Sequence, residues 1–298
     1  MNSVIENLNN IETNLLTWGN PFNCDGLDVI ICVTGNPGIT DFYTEFASEL
    51  HTSLNLPVCV IGHAGHEPVS DKNSNVLRGQ EHNFDLNGQI KHKVELLRLI
   101  DEKSKFHLIG HSIGCWIILE LLNKHSDIVE RSKSINLLFP TVQKMALSPN
   151  GKFLNKVIRR LHLLVMFFFT FIYLLPAVIK EFLIYNYLKL KSLPLNYKEG
   201  MLKFCNPSVG EKILFMAYDE MDKVTSLNVK AVDRMKHVTN VVYGKYDDWV
   251  PVRYMEDFKQ FQPELIMKEV RIDHAFVLKS SEAVANIVSE YISTKRNN

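Results

Sequence analysis

The sequence predicts an α/β protein built on a mostly parallel sheet with helices on both faces. Three observations carry this. Short β-branched apolar runs end at Gly or Pro, stretches with helical spacing separate them, and the alternation resumes after a long interruption. With 298 residues the chain can bury a substantial core, and we read 1–298 as one domain.

Each element has its own signal. "LDVIICVTG" at 27–35 and "LPVCVIGHAGH" at 56–66 are buried-strand runs closed by Gly. Between them Phe42, Phe46, Leu50 and Leu54 recur at helical spacing, which makes a βαβ unit. Residues 70–83 are polar and aperiodic and read as a surface loop. A helix is expected from about Asp85 to Glu102, with Leu86, Ile90, Val94, Leu97 and Ile100 on one face. "KFHLIG" is the next strand, "IGCWIILELLNK" the next helix, and "SINLLFPT" at 134–141 a further strand. From about 144 to 236 the alternation stops in favour of apolar, helix-like sequence, an insertion far longer than ordinary connections in such folds. "TNVVYGKYDD" and "LIMKEVRI" then supply two strands, and "SEAVANIVSEYIS" a closing helix. The first 26 residues read only as a polar start.

Composition removes several function classes. With 33 basic and 33 acidic side chains there is no net field to attract nucleic acid or an anionic surface, so any lipid contact is expected to be hydrophobic and local. Five cysteines (Cys24, Cys32, Cys59, Cys115, Cys205) form no CxxC pair and read as reduced core thiols. "MNSVIENLNN" has neither the basic nor the apolar region of a cleaved signal, which makes the cytosolic side the expected compartment.

"GHSIG" at 110–114 falls at a strand-to-helix junction, the context in which G-x-S-x-G acts as a nucleophile elbow. Neighbours two residues from Ser112 are pressed against the adjoining strand and helix, where only small residues fit. The helix N-terminus behind the serine favours developing negative charge. A serine hydroxyl is a weak nucleophile and needs a base held by a carboxylate. In this arrangement the chain order is Ser, acid, His. "VVYGKYDDWVP" ends a strand with Asp247 and Asp248. Asp247 is the expected acid, because the two aspartates point different ways and the spacing from Asp247 to Pro251 is the commoner one in such loops. The expected base is His274, one of 11 histidines and the one that directly follows the last strand. Asp273 is too close along the chain to orient it and is expected to be solvated. The oxyanion of an acyl transfer needs two donors, expected from the backbone N–H groups of Ile113 and of Asn36 in "VTGNPGITDFY", since Pro37 has none. "GHAGH" at 62–66 lacks a third ligand at sensible spacing, so no metal or other cofactor is expected. His63 and His66 are assigned to lining the pocket or bracing the loop.

Together "GNPGITDFYTEF", "GHAGH", "GHSIG", "YGKYDDW" and "DHAF" resemble the lipid droplet-associated hydrolases, a branch of the α/β-hydrolase superfamily, in order from about residue 28 to the last helix. The resemblance implies an α/β-hydrolase fold and puts the family's serine, aspartate and histidine on Ser112, Asp247 and His274. It further implies association with lipid droplets and the cytosolic face of the endoplasmic reticulum, and esterase activity on sterol esters. Thr34 and Asp248 depart from the family pattern, which has Pro and Gly there.

Residues 163–179, "LLVMFFFTFIYLLPAVI", contain no charged side chain. Seventeen residues make about 26 Å of helix, near the lower limit for crossing a bilayer. Arg159 and Arg160 precede the run and Lys180, Lys189 and Lys191 follow it, a basic signature of the cytosolic face at both ends. Pro176 should bend the helix. The expectation is a kinked helix or hairpin over the site, entering one leaflet or a droplet monolayer through Leu163, Phe167, Phe168, Phe169, Phe171 and Pro176. The bland alternative is an ordinary buried cap helix. The leading functional expectation is a serine hydrolase of neutral lipid esters, with a droplet-binding protein that organises lipid stores as runner-up.

Overall fold

A computed structural model of the chain describes residues 1–69 and 75–296. Its eight strands among the described residues form one sheet in the order β1-β2-β4-β3-β5-β6-β7-β8. They are β1 (Asn2–Leu8), β2 (Ile11–Trp18), β3 (Val29–Val33), β4 (Val58–Ile61), β5 (Phe106–His111), β6 (Ser132–Leu138), β7 (Thr239–Gly244) and β8 (Ile266–Val270). From β3 to β8 every pairing is parallel, while β1 with β2 and β2 with β4 are antiparallel.

All six strands expected from apolar runs are present. The β1–β2 hairpin is not among the expectations. Strand β1 alternates exposed with covered positions, and β2, though covered, has Glu12, Thr13 and Asn14 among its apolar residues, so neither reads as a continuous apolar run.

The helices are α1 (Thr44–Leu54), α2 (Glu81–Phe84), α3 (Leu86–Leu99), α4 (Ile113–Lys124), α5 (Ser126–Arg131), α6 (Pro149–Phe153), α7 (His162–Leu174), α8 (Ala177–Leu190), α9 (Lys198–Phe204), α10 (Pro207–Lys223), α11 (Val229–Met235), α12 (Glu256–Lys259) and α13 (Ser281–Arg296). Of the stretch read as a loop, 70–74 lies outside the described residues, and its last three residues, 81–83, begin the short helix α2, whose Phe84 drops into a small cluster with Ile11 and Ala64. Asp85 starts α3 by accepting from the Gly88 amide at 2.8 Å.

Alternate residues of β3 feed two cores. Val29, Ile31 and Val33 pack with Leu97 of α3 and Ile117 of α4, while Ile30 and Cys32 pack with Phe46 of α1 and Val288 of α13. All five cysteines are free thiols, four of them buried.

Between β6 and β7 the described chain is helical wherever it is regular. The apolar run is two helices: α7 ends at Leu174, and Pro176 caps the start of α8. No helix is long and apolar enough to cross a membrane alone among the described residues. Helix α7 has no buried residue, which argues against a buried cap helix. It leans on α10 through Phe169, whose ring lies 3.0 Å from where a Cβ on Gly210 would sit, and through His162 beside Tyr218. Its other face is bare, with Leu163 at 84% exposure, Phe167 at 61% and Phe171 at 54%. Helix α8 buries Ile184 and Leu188 and exposes Val178 and Phe182.

Candidate active site

Parallel strands put their carboxyl ends along one edge, and the site forms there. Asn36 lies three residues past β3, Ser112 directly follows β5, Asp247 lies three past β7, and His274 four past β8.

Ser112 sits at φ 53°, ψ −119°, an unusual conformation for a residue with a side chain. The crowding expected of an elbow is present. A Cβ on Gly110 would lie 2.7 Å from the Cys115 nitrogen, and one on Gly114 would lie 2.4 Å from the Val33 carbonyl oxygen. These glycines let β3, β5 and α4 meet closely enough to hold the turn.

The geometry joins the three residues expected to act together. Asp247 Oδ2 lies 2.7 Å from His274 Nδ1, and His274 Nε2 lies 2.9 Å from Ser112 Oγ. The second oxygen, Oδ1, accepts from the Trp249 amide at 2.8 Å and the Val250 amide at 2.9 Å, which fixes the carboxylate. Burial by itself would raise the Asp247 carboxyl, yet His274 and the two amides outweigh it and hold it below its ordinary value. An ionised carboxylate only accepts, so Nδ1 carries the proton and Nε2 presents a lone pair to the serine hydroxyl. Asp248 and Asp273 are both exposed.

Asn36 lines the same cavity as Ser112 and His274. Its side-chain amide donates to Glu220 Oε1 at 2.8 Å and to the Ile213 carbonyl at 3.2 Å, both on α10. Ile113 is the buried first residue of α4, so its N–H has no intrahelical acceptor.

The cavity has a volume of about 330 Å³, and apart from the site itself its walls are mostly apolar: Phe42, Leu188, Leu193, Met201, Phe204 and Val277 among them.

Two assigned histidines stay outside this cavity. His66 Nδ1 accepts from the Gly38 amide at 3.0 Å, and His63 packs so close to Gly38 that a Cβ there would lie 2.7 Å from its ring, so both brace the loop after β3, while His63 Nδ1 lies 3.2 Å from the buried Lys93 Nζ of α3. The described residues include no group of three or more metal-ligating side chains.

With this geometry in view, the comparisons with known proteins decide the family. A family model described as lipid-droplet associated hydrolase matches residues 28–277. A Drosophila melanogaster protein named lipid droplet-associated hydrolase is 39% identical over 306 residues, covering 99% of each chain. The chain belongs to the lipid droplet-associated hydrolase family. A Mus musculus protein of the same name is 31% identical, over 96% of this chain and 93% of its own. Among solved structures, an α/β hydrolase from a deep-sea metagenome superposes with a TM-score of 0.68 at 14% identity, over 97% of both chains. A bacterial membrane phospholipase A gives 0.67 at 15% identity, over 100% of this chain and 87% of its own. These two carry the fold alone, the α/β-hydrolase fold.

In this lipid droplet-associated hydrolase the structure also brings in residues the motifs did not single out. The Gly35 amide donates to the Tyr43 hydroxyl at 2.7 Å, and Tyr43 lies 2.6 Å from His111 Nδ1. His111 Nε2 lies 2.9 Å from the His274 carbonyl. A carbonyl only accepts, so Nε2 carries the proton and Nδ1 receives the tyrosine hydrogen. Burial and the nearby His274 push the His111 imidazole down to about 3, which keeps it neutral. One chain of hydrogen bonds therefore spans the loop after β3, the elbow and the His274 loop. Thr141 Oγ1 stands 3.4 Å from Ser112 Oγ. The signal for Tyr43 was present in "GITDFY", next to the loop it holds, and His111 lies within the elbow motif itself.

Proposed function

We propose that the chain is a serine ester hydrolase of neutral lipid esters, sterol esters foremost, acting at the lipid droplet and at the cytosolic face of the endoplasmic reticulum. The observation that carries this is the Asp247–His274–Ser112 hydrogen-bond chain opening on an apolar cavity. Ser112 Oγ attacks the ester carbonyl while His274 Nε2 takes its proton, and Asp247 stabilises the imidazolium. The amides of Asn36 and Ile113 hold the tetrahedral oxyanion. His274 then protonates the departing alcohol, and a water activated by the same imidazole releases the acyl group from Ser112. A cavity of about 330 Å³ is near the lower end for ligand pockets, which suits one acyl arm inside and the alcohol toward the mouth. No metal or other cofactor takes part in this scheme.

In this reading 1–298 is one domain, with about 144–236 inserted as a cap. The cap meets lipid through Leu163, Phe167, Phe168 and Phe171, which are exposed, with Pro176 at the bend. Phe169 turns inward instead, edge-on to Phe204 at 5.5 Å between ring centroids. Two helices lying against the body, each with a bare apolar face, suit insertion into one leaflet or a droplet monolayer.

The test is labelling with an active-site phosphonate followed by a hydrolysis panel on lipid emulsions. Wild type reacts and cleaves sterol esters, and Ser112→Ala loses about three orders of magnitude or more in rate. Equal labelling of the two proteins refutes the mechanism.

The bare faces of α7 and α8 favour a second reading, a droplet-organising protein whose catalysis is secondary. Rescue decides between the two. If Ser112→Ala restores droplet behaviour in cells lacking the protein and a chain without 163–188 does not, the second reading holds.

A further inference from the structure

The formal charge of zero hides a segregation of charge. Residues 152–191, which bracket α7 and α8, carry seven Lys or Arg against one Glu, leaving 26 basic and 32 acidic side chains for the rest of the chain. Four of the six free basic positions stand at the ends of the apolar helices, and two stand on the helical segment 149–158, which meets α7 at 86°. Lys152 lies in α6, Lys156 in the turn after it and Arg160 just before α7. Lys180 occupies the first turn of α8, Lys189 its last turn and Lys191 the residue beyond it. Five of these six are exposed and Lys180 is half-buried.

Partners separate these six from ordinary surface lysines. Arg159, the seventh, is engaged by Asp222 at 2.7 Å. None of the six has a carboxylate within salt-bridge distance among the described residues. Lys180 and Lys189 lie over the rings of Tyr173 and Tyr185, at 5.1 and 5.3 Å from the centroids, with their charge still available to an anion. The outward faces of the two helices are thus apolar in the middle and cationic at both ends. Long basic side chains in such places lay their stems along apolar surface and carry their charge to headgroup depth.

We propose that the α7–α8 face docks on phospholipid layers that display anionic headgroups, with the apolar faces among the acyl chains and the six cations on the headgroup phosphates. This rests on the lipid-docking reading above and adds the headgroup chemistry to it. A net-neutral headgroup layer satisfies the apolar face alone, whereas a net-negative one also attracts the basic ends.

The full chain is floated with vesicles of phosphatidylcholine and with vesicles containing about one fifth phosphatidylserine. Wild type partitions about tenfold or more strongly onto the second. Raising salt to about 1 M, where screening acts within about 3 Å, removes that excess. Replacing the six cations by Gln abolishes the difference between the two vesicles. Thermal melting and phosphonate labelling of Ser112 report that this variant is folded. Equal wild-type binding to both vesicles, or an excess that survives salt or the six substitutions, overturns the inference and leaves lipid docking standing. Binding to neither vesicle overturns the docking reading with it, and the hydrolase reading is scored separately by the phosphonate.

Discussion

Asp247 and Glu220 are buried carboxyls that their surroundings push in opposite directions. Asp247 has a histidine and two amides and sits below its ordinary value, so its contribution to stability is present above about 3.8 and is lost as pH falls. Glu220 is driven by burial up to about 8, with Asp219 adding to the rise and the Asn36 amide pulling against it. A raised carboxyl binds its proton in the fold and gives it up in the unfolded chain, so stability falls as pH rises from 4.5 to about 8. Glu220→Gln keeps an acceptor for Asn36 and cannot ionise. Denaturant melts of the two proteins should therefore diverge in the variant's favour across that window and run parallel above it; parallel curves throughout would refute this. Tyr43 supports a second expectation. Tyr43→Phe strands the buried Gly35 amide and removes the donor to His111, which should cost about 1–3 kcal/mol of stability and lower kcat more than it raises KM. Steady-state kinetics on a soluble ester check it, and a change confined to KM would count against it. The grouping of Ser112, Asp247 and His274 was legible because each stands within four residues of the end of a recognisable strand, in a fixed order along the chain. The Asn36–Glu220 bond was not, since it joins residues 184 apart across a helix whose register no local pattern fixes.

At the scale of elements, local periodicity decided what could be read. Strands buried on both faces, β3 to β5 above all, announce themselves as continuous apolar runs, and β8, an exposed edge strand, was found by its apolar start. In the β1–β2 hairpin polar side chains interrupt both strands, which left only a fainter sign, Asn9-Asn10 between them. Both asparagines adopt positive φ, 50° and 62°, as a tight two-residue hairpin turn requires. The apolar run at 163–179 was read correctly as interrupted at Pro176. That the break gives two helices leaning on the body depends on contacts with α9 and α10, which sequence spacing does not contain. The elbow makes the sharpest prediction at this scale. Gly114→Ala would bring a methyl group within 2.4 Å of the Val33 carbonyl, and because that atom is backbone, β3 or α4 must move. The loss should be about 1–3 kcal/mol with a matching fall in the rate at which the phosphonate labels Ser112. Unchanged melting and labelling would show that the strand–helix contact is not what holds the turn.

Across the whole molecule the exposed apolar surface of α7 and α8 and the cavity share their walls. Leu188 is buried on the inner side of α8 and lines the cavity, and Tyr187 beside it lines the cavity while remaining 44% exposed. Phe204, another lining residue, is the one that Phe169 of α7 packs against. On the proposed function, a lipid surface that seats α7 and α8 would lie against the same helices that bound the cavity, giving an ester that leaves the lipid a short apolar path to Ser112. This arrangement separates two kinds of substrate. Phe167 and Phe171 are exposed and stack on each other at 6.4 Å between centroids, away from the cavity. Replacing both by Ser removes apolar area that only a lipid surface would bury, so melting should be unchanged while hydrolysis of an emulsified ester falls by about tenfold or more. Hydrolysis of a short soluble ester, which needs no surface, should stay at the wild-type rate. Equal losses on both substrates would place the two phenylalanines in the fold of the site, and no loss on either would mean that esters reach Ser112 by a route independent of α7.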